Sequence, residues 1–274
     1  MQQLGVIVVV SALCVLAWMG GSIQAAEKLM PQGREVSTRD EHYHVITVDG
    51  RELKHGPYTR MHGNGQKWEE GGYVNGQKDG SWAYWDKTGF KFKEESWEKG
   101  KRHGLWVQWY ANGKKEFEGA YEHDKPVKVH REWHMDGALR AEVTYADQDG
   151  GVKGQKKTWH PDGKPYTEYG LADGQMHGGY TSWYPDGQVK VRCSYDNGQR
   201  HGAYEEWYPD GKPKAVYAYD HGQKKGEFTE WHDNGQKRTS GSYGDGKDGI
   251  WTTWDKAGQI TSQQRFKDGK RVQE

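Results

Sequence analysis

The chain has 274 residues, with 39 Lys and Arg against 39 Asp and Glu, so its formal charge is zero and it exerts no long-range pull on nucleic acid or any other polyanion. Beyond residue 26 only five Leu and three Ile accompany 13 of the 14 Trp, all 17 Tyr and all 5 Phe, which excludes an ordinary aliphatic-cored globule. The 39 Gly and the strongly negative mean hydropathy would suggest disorder, but disordered chains are poor in aromatics.

Residues 1–26 differ in kind from the rest. An apolar run from Leu4 to Met19 is followed by Gly20 and Gly21, then by small residues at Ala25 and Ala26, the layout of a secretory signal cleaved after Ala25 or Ala26. This predicts export, to a periplasmic or extracellular location. The alternative is an uncleaved anchor, although a run of 16 residues is short against the ~20 that span a bilayer. Leu13 is too bulky to precede a lipid-modified Cys14. Cys193 is then the single thiol of the mature chain, and reads as a buried small apolar filler with no disulfide partner.

Residues 27–54 form an N-terminal segment in which HYHVITVDG, 42–50, predicts a strand that caps the first repeat. From 55 to 269 the chain repeats. The period is carried by Gly65, Gly89, Gly113, Gly137, Gly163, Gly187, Gly211, Gly235 and Gly258, in steps of 24 residues except for one of 26 and one of 23. Four residues before the glycine stand Trp85, Trp109, Trp133, Trp159, Trp183, Trp207, Trp231 and Trp254, with Met61 in the first unit. Seven before it an aromatic recurs, as in Tyr58, Trp82, Tyr204 and Trp251; eight after it another, as in Tyr73, Tyr121, Tyr219 and Phe266, preceded by a small residue such as Gly72, Ser96 or Ala218. Residues 270–274 are left as a tail.

Asn-Gly, Asp-Gly and Pro-Asp-Gly mark hairpin turns, and a second glycine-rich turn, as in NGQKDG (75–80) or HGQKKG (221–226), reverses the chain again. The segments between are rich in Tyr, Trp, Thr and Val and read as strands. The expected fold is all-β: an elongated single-layer antiparallel meander of about nine 24-residue β-hairpin repeats, with about eighteen strands. The fourth unit carries Val127-Lys128 where others have His-Gly or Asp-Gly, so an irregularity is expected there.

The pattern HGLWVQWYANGKKEFEGAYEHD at 103–124, with its copies HGAYEEWYPDGK and HGGYTSWYPDGQ, resembles the MORN-repeat variant found in the YwqK-family antitoxin proteins. The resemblance extends over 55–269 and implies a twisted or rolled antiparallel sheet and a protein-binding role, the neutralisation of a toxin.

Side chains alternate faces along a strand, so residues four and seven before the glycine point to opposite sides. The Trp residues are expected to form one structural ladder over small neighbours and the other aromatics a second, replacing the missing second layer. The residue after each Trp varies (His62, Asp86, Tyr110, His134, His160, Tyr184, Tyr208, His232, Asp255) and is the candidate partner-binding row. Of the 13 His, four sit in HG turns (His55, His103, His177, His201) and four follow the Trp or its counterpart (His62, His134, His160, His232), each set spread one per repeat, which argues against a metal site, and adjacent carboxylates fall on opposite strand faces, which argues against a catalytic pair. No catalytic residue, metal ligand or cofactor is assigned. The expected function is a non-enzymatic exported scaffold that binds a protein. Alternatives are carbohydrate or cell-wall binding and membrane-surface attachment; the neutral charge and lack of a polybasic cluster argue against the latter.

Overall fold

A computed structural model of the chain describes residues 33–146 and 153–272, so the signal-like segment lies outside the described residues. All regular elements among them are β-strands, and every described pairing is antiparallel and joins neighbours in sequence, except that Lys91–Glu98 pairs both with Lys101–Arg102 and with the following Gly104–Trp109, which makes the protein an all-β meander as the repeat predicts.

The chain divides into two units, Met1–Gly89 and Phe90–Glu274. In the first, β1 (Gly33–Ser37), β2 (Glu41–Val48), β3 (Arg51–Met61), β4 (Lys67–Val74) and β5 (Gln77–Trp85) pair in chain order. The expected capping strand is β2, with Val45 and Ile46 buried. A further strand, β1, lies outside it with Gly33 opposite Ile46 and Ser37 opposite His42. In the second unit the meander runs from Lys91–Glu98 to Lys270–Val272. The tail residues therefore begin with a short strand, in which Val272 pairs with Arg265.

Two turn types alternate. At the repeat glycine the chain makes a three-residue hairpin loop: Tyr208 N–H donates to Lys212 O (2.9 Å), Gly211 N–H donates to Tyr208 O (2.9 Å), and Gly211 sits at φ +81°. That is the bulged loop for which glycine is needed, and the register shifts beside it, between Glu206 and Trp207. The other end is narrower than expected. Only two residues turn, both at positive φ, as in Asn75 (50°) with Gly76 (79°) or His221 (44°) with Gly222 (86°), the mirror-image turn that suits strand twist. Gly80 and Gly226, expected in those turns, lie inside strands at φ +74°. They act as bulges, and the facing register skips a residue, between Glu70 and Gly72 or between Val216 and Ala218. In the irregular fourth unit Lys128 takes this position at φ +61°.

Within each unit the aromatic core lies on one face. Its most buried members stand seven residues before the repeat glycine: Tyr58, Trp82, His130, Tyr204, Phe228 and Trp251. The aromatics of the facing strands meet them edge-on, with ring centroids 5.0 Å apart for Tyr73 and Trp82, 5.0 Å for Tyr121 and His130, and 5.0 Å for Tyr243 and Trp251. The small residues that precede these aromatics do not serve as seats: Gly72 pairs with Pro57 and Ala218 with Ala203, on the opposite face. The seats are one residue earlier. A Cβ on Gly71 or Gly241 would stand 2.3 Å from Cδ2 of Trp82 or Trp251, and one on Gly119 would stand 2.7 Å from the His130 ring.

At four bulges a carbonyl displaced from the ladder is satisfied by the ring above. Trp82 Nε1 donates to Gly72 O (3.1 Å), Trp106 Nε1 to Ser96 O (3.0 Å), Trp251 Nε1 to Ser242 O (3.2 Å) and His130 Nε2 to Ala120 O (2.7 Å).

Candidate partner-binding face

The aromatic face is covered by the protein's own cations. Eleven residues before the repeat glycine stand Lys54, Lys78, Arg102, Arg200, Lys224 and Lys247, a row that strand alternation and the turn motifs did not single out. Lys54 lies 4.2 Å from the Tyr58 ring centroid, Lys78 4.0 Å from Trp82, Arg102 4.4 Å from Tyr121, and Lys247 4.3 Å from Trp251. Arg200 lies 5.4 Å from Tyr204 and from Tyr219 and donates to the hydroxyls of Tyr195 (3.4 Å) and Tyr219 (3.1 Å). Those hydrogen bonds raise the Arg200 pKa further above its already high value. Burial pushes Tyr204 up to about 12 and also raises the thiol of Cys193, which stands opposite Tyr204 on the neighbouring strand. That thiol stays protonated, and it occupies the small buried site expected from the sequence. The signal for the cation row was present: a Lys or Arg two residues after the glycine of the short turn, as in NGQK and DNGQR.

The row just after each Trp sits at the first position of the bulged loop. Five of its side chains reach the carbonyl of the Trp in the next repeat. Tyr110 Oη donates to Trp133 O (2.7 Å), Tyr184 to Trp207 O (2.8 Å) and Tyr208 to Trp231 O (2.8 Å). His62 and His232 do the same through Nε2, to Trp85 O and Trp254 O, each at 2.9 Å. Asp86 and Asp255 fold back instead, accepting from the backbone of Thr88 (2.8 Å) and of Ala257 (2.9 Å). His160 packs 4.7 Å from Tyr166, and the Nε2 atoms of His134 and His160 are buried without a hydrogen bond. In five of the nine positions, then, the polar atom fastens one repeat to the next.

The Trp row itself lies on the other face from the core, partly buried. Lys67 stands 4.9 Å from Trp85, Lys115 5.9 Å from Trp133 and Arg192 5.5 Å from Trp207. The cations at Lys67 and Lys115 are held in turn by Glu70 and Glu118. In the second unit this side of the sheet also exposes Leu105, Val216 and Ile250, each more than 40% accessible. It therefore combines indole rings, ordered cations and isolated aliphatics.

At the short turns the histidines do not stay apart. His103 lies beside His123 and His201 beside His221, each pair 20 residues apart in the chain, with ring centroids 4.9 and 4.7 Å apart.

Four stretches match the MORN repeat variant family: residues 102–123, 176–197, 200–221 and 247–268. Each begins at or near a short-turn strand and runs through one bulged loop to the next short turn. Among curated proteins no match is found. The solved structures described as TcdB2-TccC3-Cdc42 and TcdB2-TccC3 are similar at 12% identity with TM-scores of 0.20 and 0.16. They align with 86% and 90% of this chain, which spans only 16% of either of theirs.

Proposed function

We propose that the protein is a non-enzymatic repeat scaffold that binds a partner protein along the face bearing the Trp row. The observation that carries this reading is the asymmetry of the sheet. One face is closed by Lys and Arg over its aromatic rows, whereas the other presents partly exposed Trp beside Lys and Arg, with Leu105, Val216 and Ile250 open to solvent. Trp and Arg are the side chains that dominate binding energy at protein interfaces. The MORN-variant repeats support a scaffold role in general. Neutralisation of a toxin, the role suggested by the antitoxin resemblance, is the narrower form of this proposal. The signal-like layout of residues 1–26 supports an encounter outside the cytoplasm.

The test uses residues 27–274 as bait in extracts of the compartment to which the chain is exported, comparing wild type with Trp183→Ala/Trp207→Ala. A protein retained by wild type and weakened about tenfold or more by the double variant, at little change in Tm, is the expected result. A large fall in Tm with unchanged retention would assign the Trp row to structure alone. Retention on cell-wall material that survives protease treatment of that material would favour a glycan ligand instead.

A further inference from the structure

Two clusters at the short-turn edge of the second unit each bring a pair of histidines together with a carboxylate. In the first, Glu98 closes the strand Lys91–Glu98, His103 stands between the strands Lys101–Arg102 and Gly104–Trp109, and His123 opens the next short turn. Glu98 Oε2 lies 3.0 Å from His123 Nε2 and 3.6 Å from His103 Nδ1. That His103 Nδ1 atom is buried and has no hydrogen-bond partner.

The second cluster repeats the first about four units further on. Asp196, His201 and His221 have the same spacing as Glu98, His103 and His123, five residues and then twenty. Its imidazoles are tilted by 52°, as are those of the first. Asp220 adds a second carboxylate, with Oδ1 2.8 Å from His221 Nδ1 and 3.6 Å from His201 Nδ1, while Asp196 Oδ2 lies 3.6 Å from His221 Nε2.

We propose that both clusters bind a divalent transition metal, zinc being the ion their chemistry fits best. Two imidazoles and a carboxylate are a standard zinc donor set, and hard cations such as magnesium prefer all-oxygen sites. In each cluster three donor atoms lie within 4.8 Å of one another. Tetrahedral coordination with bonds of about 2.1 Å needs donors roughly 3.4 Å apart, within the range that the first cluster's 3.0 and 3.6 Å contacts already bracket. His103 Nδ1 gains the partner it lacks, and the metal links a strand to the turn of the following repeat. This inference does not rest on the partner-binding reading.

Zinc uptake by the metal-stripped full mature chain, measured by equilibrium dialysis with zinc chloride and by the absorption spectrum of the cobalt(II) form, tests it. Asn occupies the positions of His123 and His221 in other repeats, as Asn75 and Asn197 at φ 50° and 47°, so His123→Asn and His221→Asn preserve the turn. Two zinc ions per wild-type chain, one in either variant and none in the double variant is the expected result. Wild type that takes up no zinc, or a double variant that takes up as much as wild type, would overturn the assignment.

Discussion

At the scale of single residues, what decides the core is the match between a ring and the residue beneath it. Trp82 and Trp251 lie over Gly71 and Gly241, and each indole N–H satisfies a carbonyl released by a neighbouring bulge. His130 imitates this arrangement over Gly119, with a smaller ring. Burial lowers its pKa, because charging the ring in the core is costly, and nearby Arg102 lowers it further, against the bond to Ala120 O, which favours the charged form. The unfolded state, with an ordinary His pKa near ~6.5, therefore binds more protons as pH falls, and stability due to this residue is present above that pH and lost below it. His130→Trp is expected to remove that part of the acid sensitivity. Urea midpoints of wild type and variant should diverge as pH is lowered from 7.5 to 5, the variant falling less; parallel curves would contradict the account.

At the scale of the element, the hairpin unit is defined by three backbone sites with positive φ, of which two were expected. The third, the in-strand bulge, is glycine at Gly56, Gly80, Gly104, Gly178, Gly202, Gly226 and Gly249, all between +69° and +90°. Lys128 adopts the same conformation with a Cβ, at a cost of about 1 kcal/mol for a non-glycine residue. Lys128→Gly is accordingly expected to stabilise the protein by up to ~1 kcal/mol, reduced somewhat by the entropy of glycine in the unfolded chain. Chemical denaturation with an unchanged m-value would read it. The irregularity was legible in Val127-Lys128; that it concerned a bulge was not, because glycine near a turn reads the same whether it turns the chain or bends a strand.

At the scale of the whole molecule, successive repeats are fastened by bonds that span 22 or 23 residues, such as Tyr184 Oη to Trp207 O and Tyr208 Oη to Trp231 O. An array whose units bond only to their neighbours tolerates loss of an entire unit. Deleting residues 164–187, one 24-residue step between repeat glycines, is expected to leave a folded β protein with a cooperative transition and a modestly lower Tm. Deleting 176–187 alone removes one strand, reverses the direction of every later strand and joins unlike turns. That variant is expected to be insoluble or to melt without cooperativity, as circular dichroism would show.

The sequence by itself determined the period, the all-β meander and where the chain turns back, because glycine at positive φ and side-chain alternation are local properties of the chain. Only the tertiary structure decided which aromatics are buried. The rows seven before and eight after the repeat glycine form the core, while Trp85 to Trp254 remain partly buried on the other face. It also placed the Lys and Arg cover, gave five side chains of the varied row their role between repeats, and brought His103 to His123 and His201 to His221. The physical reason is the same for each. In a stacked array, residues one period apart are neighbours in space, so contacts across twenty or more residues depend on register and bulges that a reading along one strand does not contain.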